Sequence, residues 1–208
     1  MRSRVIRPDT AVLTVALLFL ALHLATSGQY GFHRDELATL DDARHLEWGF
    51  VAYPPLTPLM GRLGLSLFGI SLIGVRCLPI LALSAAVMLA GLMARELGGS
   101  RRSEILSAMA VAIAPIVTIQ TAVLQYVSFD YLWGVLLTYF LLRLLNSENP
   151  RWWLAIGAVI GLGMMTKYTM AFFAASLVGA LLLTSLRRHL LTAWPWLGVA
   201  IALLIFSP

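Results

Sequence analysis

Seven apolar runs, at about residues 11–27, 72–94, 105–124, 129–145, 152–166, 168–186 and 191–207, leave little of this 208-residue chain for a water-facing surface. A lipid hydrocarbon core offers no water to an open backbone, so a crossing segment must be helical and roughly 17 to 25 residues long. The runs at 72–94 and 105–124 meet that length easily, whereas 152–166 is short. Hydrophobic residues make up 60% of the chain and charged residues 12%, which excludes an ordinary soluble domain. The expected fold is all-α: a single polytopic transmembrane bundle over 1–208, with about seven spans and a long first outside loop at 28–71.

The opening "MRSRVIRPD" and the first run share the basic start and apolar middle of a signal peptide, with "LATSG" as a weak cleavage site. Six further runs favour an uncleaved signal anchor. If each run crosses once, ten basic residues gather on the N-terminal side: Arg2, Arg4, Arg7, Arg95, Arg101, Arg102, Arg143, Arg151, Arg187 and Arg188. Five fall opposite: Arg34, Arg44, Arg62, Arg76 and Lys167. Positively charged loops stay in the cytoplasm, so the N-terminus is expected inside and the 28–71 loop outside. The expected location is the bacterial inner (plasma) membrane. The net charge of +5 then reflects orientation in the membrane, with no soluble basic face for nucleic acid. Cys77 is the single cysteine, which excludes an internal disulfide and a paired-cysteine zinc site.

The acidic side chains are concentrated too. Asp35, Glu36, Asp41, Asp42, Glu47 and Asp130 fall outside, and five of these six sit in "YGFHRDELATLDDARHLEWGFVAYPP", residues 30–55. Water around a loop accounts for Asp41, Asp42 and Glu47. Asp35 and Glu36 follow the first span closely, where a carboxylate is costly unless paired or functional. The next segment, "YPPLTPLMGRLGLSLFG" at 53–69, opens with prolines suited to a first helical turn. It reads either as an interfacial helix, with Leu56, Leu59, Met60, Leu63 and Leu67 on one face, or as the start of the second span.

Lys167, in "GLGMMTKYTM", is the only lysine among fifteen basic residues. Its ammonium suits a phosphate at the mouth of a bundle, although a lysine snorkelling at a helix end has the same pattern. Asp130, in "LQYVSFDYLWG", reads as a helix N-terminal cap or a partner of Arg76 or Lys167. His33 suits a proton shuttle, a metal ligand or a hydrogen-bonded scaffold residue. Trp48, Tyr53 and Tyr126 suit sugar stacking or an interfacial aromatic belt.

Together, "YGFHRDELATLDDARHLEWGFVAYPPL", "GISLIGVRCLPIL", "SFDYLW" and "GLGMMTKYT", spread over residues 28–170, resemble the polyprenyl-phosphate-sugar-dependent glycosyltransferases of the GT-C superfamily. The likeness is to the protein O-mannosyltransferase and lipid A aminoarabinose transferase branch, family 39. Members of that branch are longer, so the resemblance covers an N-terminal part.

The resemblance implies sugar transfer, with inversion, from a polyprenyl-phosphate donor to a lipid, glycan or protein acceptor outside the cytoplasm. It implies Asp35 as the base and Glu36 as the group orienting acceptor or loop. It also implies Lys167, with Arg76 second, at the donor phosphate. His33, Tyr53 and Asp130, read from the residues themselves, are candidate substrate contacts. Phosphate is a competent leaving group, so no cofactor is required; Asp41 and Asp42 are the pair able to hold a divalent metal. Membrane lipids are the remaining expected partners. The competing class is a non-catalytic lipid-phosphate-binding scaffold or transporter fragment. A transporter places ionisable groups near mid-membrane, whereas here they fall at predicted helix ends.

Overall fold

The computed structural model describes residues 9–207, and Arg2, Arg4 and Arg7 lie outside them. Among the described residues the chain is helical, with no strand. The elements are α1 (Thr10–Thr26), α2 (Arg34–Arg44), α3 (Leu56–Phe68), α4 (Leu72–Glu96), α5 (Arg101–Ala112), α6 (Pro115–Thr121), α7 (Tyr126–Ser147), α8 (Trp152–Met164), α9 (Met170–Leu183), a 3-10 helix (Ser185–Leu191) and α10 (Ala193–Phe206).

Each apolar run becomes helix, but the runs do not all become single straight crossings. Among the described residues, α4 and α7 are the two single helices long and apolar enough to span a membrane. The run 105–124 is broken into α5 and α6, which meet at 57°, and 168–186 yields α9 followed by a 3-10 helix turned by 101°. If each bent pair is one span the number rises to four, and α1, α8 and α10 are shorter apolar helices. The first break lies at Ala114, whose extended backbone precedes Pro115. Proline disfavours a helical residue before it and supplies no N–H to continue the ladder. The second lies at the extended Thr184, just before the polar Ser185, Arg187 and Arg188.

α4 is the central post. It packs against α1, α3, α5 and α7, and α7 carries the packing on to α8. Val12, Phe19, Leu83 and Val87 form one core between α1 and α4. Leu137, Leu144, Ile156 and Met170 form another among α7, α8 and α9. α3 is a separate helix, divided from α4 by Gly69 at φ +64°. It turns Thr57, Pro58, Gly61 and Gly64 inward and exposes Leu59, Leu63 and Leu67. Leu56 and Met60, expected on the same face, are half-buried instead, and Met60 packs against the core of Leu40, Val75 and Phe129.

Polar side chains collect at the two ends of the bundle. At one end Asp9 caps α1 and pairs with Arg101 at 3.0 Å. There Arg95 also meets Glu104 at 2.5 Å and Arg143 meets Glu96 at 3.1 Å. The other end carries α2, α3 and the starts of α4 and α7.

α8 and α10 approach so closely that a Cβ on Gly157 would lie 2.0 Å from the Gly198 carbonyl oxygen. In lipid, such small-residue seams provide the van der Waals contact that holds helices together. Gly157→Ala is expected to destabilise the protein by about 1–3 kcal/mol through forced separation of the helices. Gly179→Ala, with open space around its Cβ, should be neutral or mildly stabilising. Thermal unfolding of both variants in detergent checks the contrast.

Candidate active site

The loop after α1 returns as α2 through a capping box. The His33 ring Nδ1 accepts from the Asp35 N–H at 3.2 Å, and the Glu36 carboxylate accepts from the His33 N–H at 2.9 Å. This reciprocal arrangement satisfies two N–H groups that a helix start leaves open. It also sends the adjacent carboxylates of Asp35 and Glu36 in different directions.

Glu36 points inward and has no exposed surface. Its Oε1 accepts from Arg76 Nε at 2.8 Å and from the Leu124 N–H at 3.0 Å, and its Oε2 also accepts from Arg76 Nη2 at 2.6 Å. Burial alone would push this carboxyl up, but the hydrogen bonds from Arg76, His33 and Leu124 outweigh it and hold Glu36 below the ordinary carboxylate range. Arg76 is equally enclosed at 3% exposure. Its Nη1 donates to the carbonyls of Ser27 and Tyr30, and its Nη2 donates to Gly31 at 2.9 Å. With two bonds to Glu36 and three to the 27–31 backbone, all five guanidinium donors are used within the chain. As placed, neither Glu36 nor Arg76 offers a free group to a ligand.

Asp35 lies on the outer side of α2, its side chain 38% exposed. Gln125 Nε2 donates to its Oδ2 at 2.5 Å, and Arg34 Nε lies 3.3 Å from its Oδ1. Tyr53 returns across α2, where its hydroxyl donates to Asp42 at 2.7 Å and lies 3.5 Å from Thr39 Oγ1. Burial, then the Asp42 carboxylate it bonds, raises the Tyr53 phenol to about 12, so it remains a donor at neutral pH. The Tyr53 ring packs against Tyr126 at 6.1 Å between centroids.

Lys167 lies in the turn between α8 and α9, with its Nζ 4.3 Å from the Tyr126 ring centroid and donating to the Ala52 carbonyl at 2.8 Å. The Leu56 N–H donates to Met165 at 3.0 Å, and Trp133 Nε1 donates to Thr166 at 2.8 Å. The TKY turn is thereby fixed against both α3 and α7. Thr169 donates to Asp130 Oδ2 at 3.1 Å, while Asp130 Oδ1 is buried without a partner among the described residues. Asp130 lines a cavity of about 360 Å³ together with Tyr131, Thr138 and Phe173.

Three consecutive residues therefore organise the site. The Leu124 N–H holds Glu36, the Gln125 side chain holds Asp35 and the Tyr126 ring lies beneath Lys167. Asp41 and Asp42 do not share a centre, because Asp41 lies beside His45 at the surface and Asp42 is bonded to Tyr53. Among the described residues no group of three His, Cys, Asp or Glu side chains is arranged for a metal ion.

The family model described as dolichyl-phosphate-mannose-protein mannosyltransferase matches residues 52–208. The chain belongs to that family. This dolichyl-phosphate-mannose-protein mannosyltransferase family is a membrane glycosyltransferase family of the GT-C type. Its matched stretch contains Tyr53, Arg76, Asp130 and Lys167 and begins after His33, Asp35 and Glu36. Comparison with curated proteins and with solved structures gave no match.

Within this mannosyltransferase-family chain, Gln125 and the Leu124 N–H belong to the candidate site without having been named from the sequence. Gln125 had one visible signal, as an isolated amide between two apolar runs. The Leu124 N–H had none, because a backbone donor is common to nearly every residue.

Proposed function

We propose that this chain transfers a sugar from a polyprenyl-phosphate donor to an acceptor hydroxyl, with inversion, at the bundle end that carries α2. The observation supporting this reading is the adjacency, through Gln125 and Tyr126, of an accessible carboxylate and an ammonium. In the reaction, the acceptor oxygen attacks the anomeric carbon from the face opposite the phosphate. The bond from carbon to phosphate oxygen breaks, and its electron pair leaves with the polyprenyl phosphate. The acceptor proton passes to Asp35.

Lys167 attracts the phosphate as negative charge grows on it, which lowers the barrier. The Tyr126 ring and the Ala52 carbonyl orient its ammonium. Glu36 and Arg76 act one layer behind, fixing the loop that presents Asp35. Asp130 offers its unpartnered oxygen to a sugar or acceptor hydroxyl, and Tyr53 keeps the segment before α3 in place.

Membranes carrying the chain, supplied with a panel of polyprenyl-phosphate sugars, test the reading by sugar transfer or donor hydrolysis. Lys167→Ala is expected to weaken donor binding by about tenfold to a hundredfold, the worth of one charge-assisted contact. Lys167→Arg should restore only part, since a planar fork replaces a compact charge. Donor binding unchanged in Lys167→Ala would remove Lys167 from the phosphate site.

A further inference from the structure

At the opposite end of the bundle, α8, α9 and α10 enclose an apolar cavity of about 500 Å³, lined by Trp153, Ile156, Leu181, Leu190, Trp196 and Leu203 among others. This volume lies within the range of about 300–1,000 Å³ typical of ligand sites. Its lining lacks the few convergent polar groups that orient a polar ligand, so its chemistry suits a hydrocarbon chain. The 3-10 helix Ser185–Leu191 closes one end, contributing Leu190 to the lining while exposing Arg187 and Arg188. His189 Nδ1 lies 3.5 Å from Trp153 Nε1, and Trp196 Nε1 donates to the Leu190 carbonyl at 3.0 Å. These contacts hold the basic turn over the cavity.

Elsewhere at the same end, Arg101 pairs with Asp9, Arg95 with Glu104 and Arg143 with Glu96. Arg187 and Arg188 form no ion pair with a carboxylate among the described residues, and the sequence contains no Asp or Glu after Glu148. Among the described residues at this end, Arg102 and Arg151 also lack a carboxylate partner, but only the Arg187–Arg188 turn contributes to the cavity lining. Two uncompensated guanidiniums beside an apolar cavity complement an amphiphile with an anionic head and a hydrocarbon tail.

We propose that this groove binds an anionic glycerophospholipid, with its phosphate at Arg187 and Arg188 and an acyl chain between α8, α9 and α10. The site is separate from the Asp35 and Lys167 end and independent of the chemistry proposed there.

The test uses the full chain in nanodiscs of mixed phosphatidylglycerol and phosphatidylcholine, followed by gentle detergent release and native mass spectrometry of the retained lipid. Phosphatidylglycerol should be retained in preference to phosphatidylcholine. The double variant Arg187→Gln, Arg188→Gln should lower that preference about thirtyfold, the expected effect of two interfacial charges. Ala174→Phe, which fills the cavity wall, should lower retention of both lipids. The comparison variant Arg102→Gln, Arg151→Gln removes equal charge at exposed positions that do not line the cavity. Equal losses in the two double variants, equal retention of both lipids, or a lipid-free dimer burying the groove would each overturn the proposal. Circular dichroism and size exclusion confirm that each variant is folded.

Discussion

Replacing Asp35 with asparagine is expected to lower sugar transfer by about two to four orders of magnitude while leaving donor binding and folding nearly unchanged. The magnitude is that of a positioned general base in a proton-transfer step. Asparagine keeps the shape of the side chain, and its amide oxygen can still accept from Gln125 Nε2, now 2.5 Å from Asp35 Oδ2. The helix start is also preserved, because the capping box uses the Asp35 backbone N–H and leaves its carboxylate out. What disappears is an oxygen basic enough to take up the leaving proton. Parallel assays of turnover and lipid-phosphate binding provide the check. Undiminished transfer by Asp35→Asn would remove Asp35 as the base, whereas loss of both turnover and donor binding would make it a binding group.

Gln125 offers a finer probe of the same carboxylate. An isosteric glutamate at 125 would bring a second negative charge to the Asp35 Oδ2 contact. Like charges at such a distance raise a carboxyl pKa. The acidic limb of the pH–rate profile should therefore move upward in Gln125→Glu. A residue with a purely structural role would lower the rate without moving that limb.

The helical class and the separation of charges to two ends were legible in the sequence, because a hydrocarbon environment leaves few alternatives for long apolar runs and isolated ionisable groups. The family resemblance rested on motifs at 28–170, and the match to residues 52–208 supports most of that stretch. Breaks within apolar runs were harder to read. Composition hardly changes across Ala114 and Pro115, yet the backbone turns by 57° there. Roles were hardest where partners are distant in sequence. A glutamate and an arginine forty positions apart look the same in one dimension whether they face a ligand or neutralise each other inside. The structure distinguishes these cases through their hydrogen bonds. Asp35 and Glu36 are neighbours of similar chemistry, but α2 exposes one and buries the other.

The second large effect is expected in stability. Glu36→Ala should destabilise the fold by about 3–5 kcal/mol, because it leaves the Arg76 guanidinium buried without its counter-charge. Removing both charges should not restore the loss, since this pair also serves the backbone. Glu36 accepts the N–H groups of His33 and Leu124, while Arg76 donates to the carbonyls of Ser27, Tyr30 and Gly31. Arg76→Lys should remain strongly destabilised, because a point ammonium cannot reach acceptors spread around a planar fork. The pH dependence follows from the direction of the Glu36 shift. Its folded carboxyl is held below the ordinary range, so its stabilising contribution is present above the unfolded value of about 4.3 and is lost as pH falls through the lowered folded value. Glu36→Gln has no such proton to gain and should lose that part of the acid dependence along with most of the ion pair. Thermal unfolding in detergent from about pH 7 down to pH 3 measures both effects against Asp35→Asn. A wild-type midpoint and acid profile in Glu36→Gln would mean that the buried pair does not hold the loop on which Asp35 is presented.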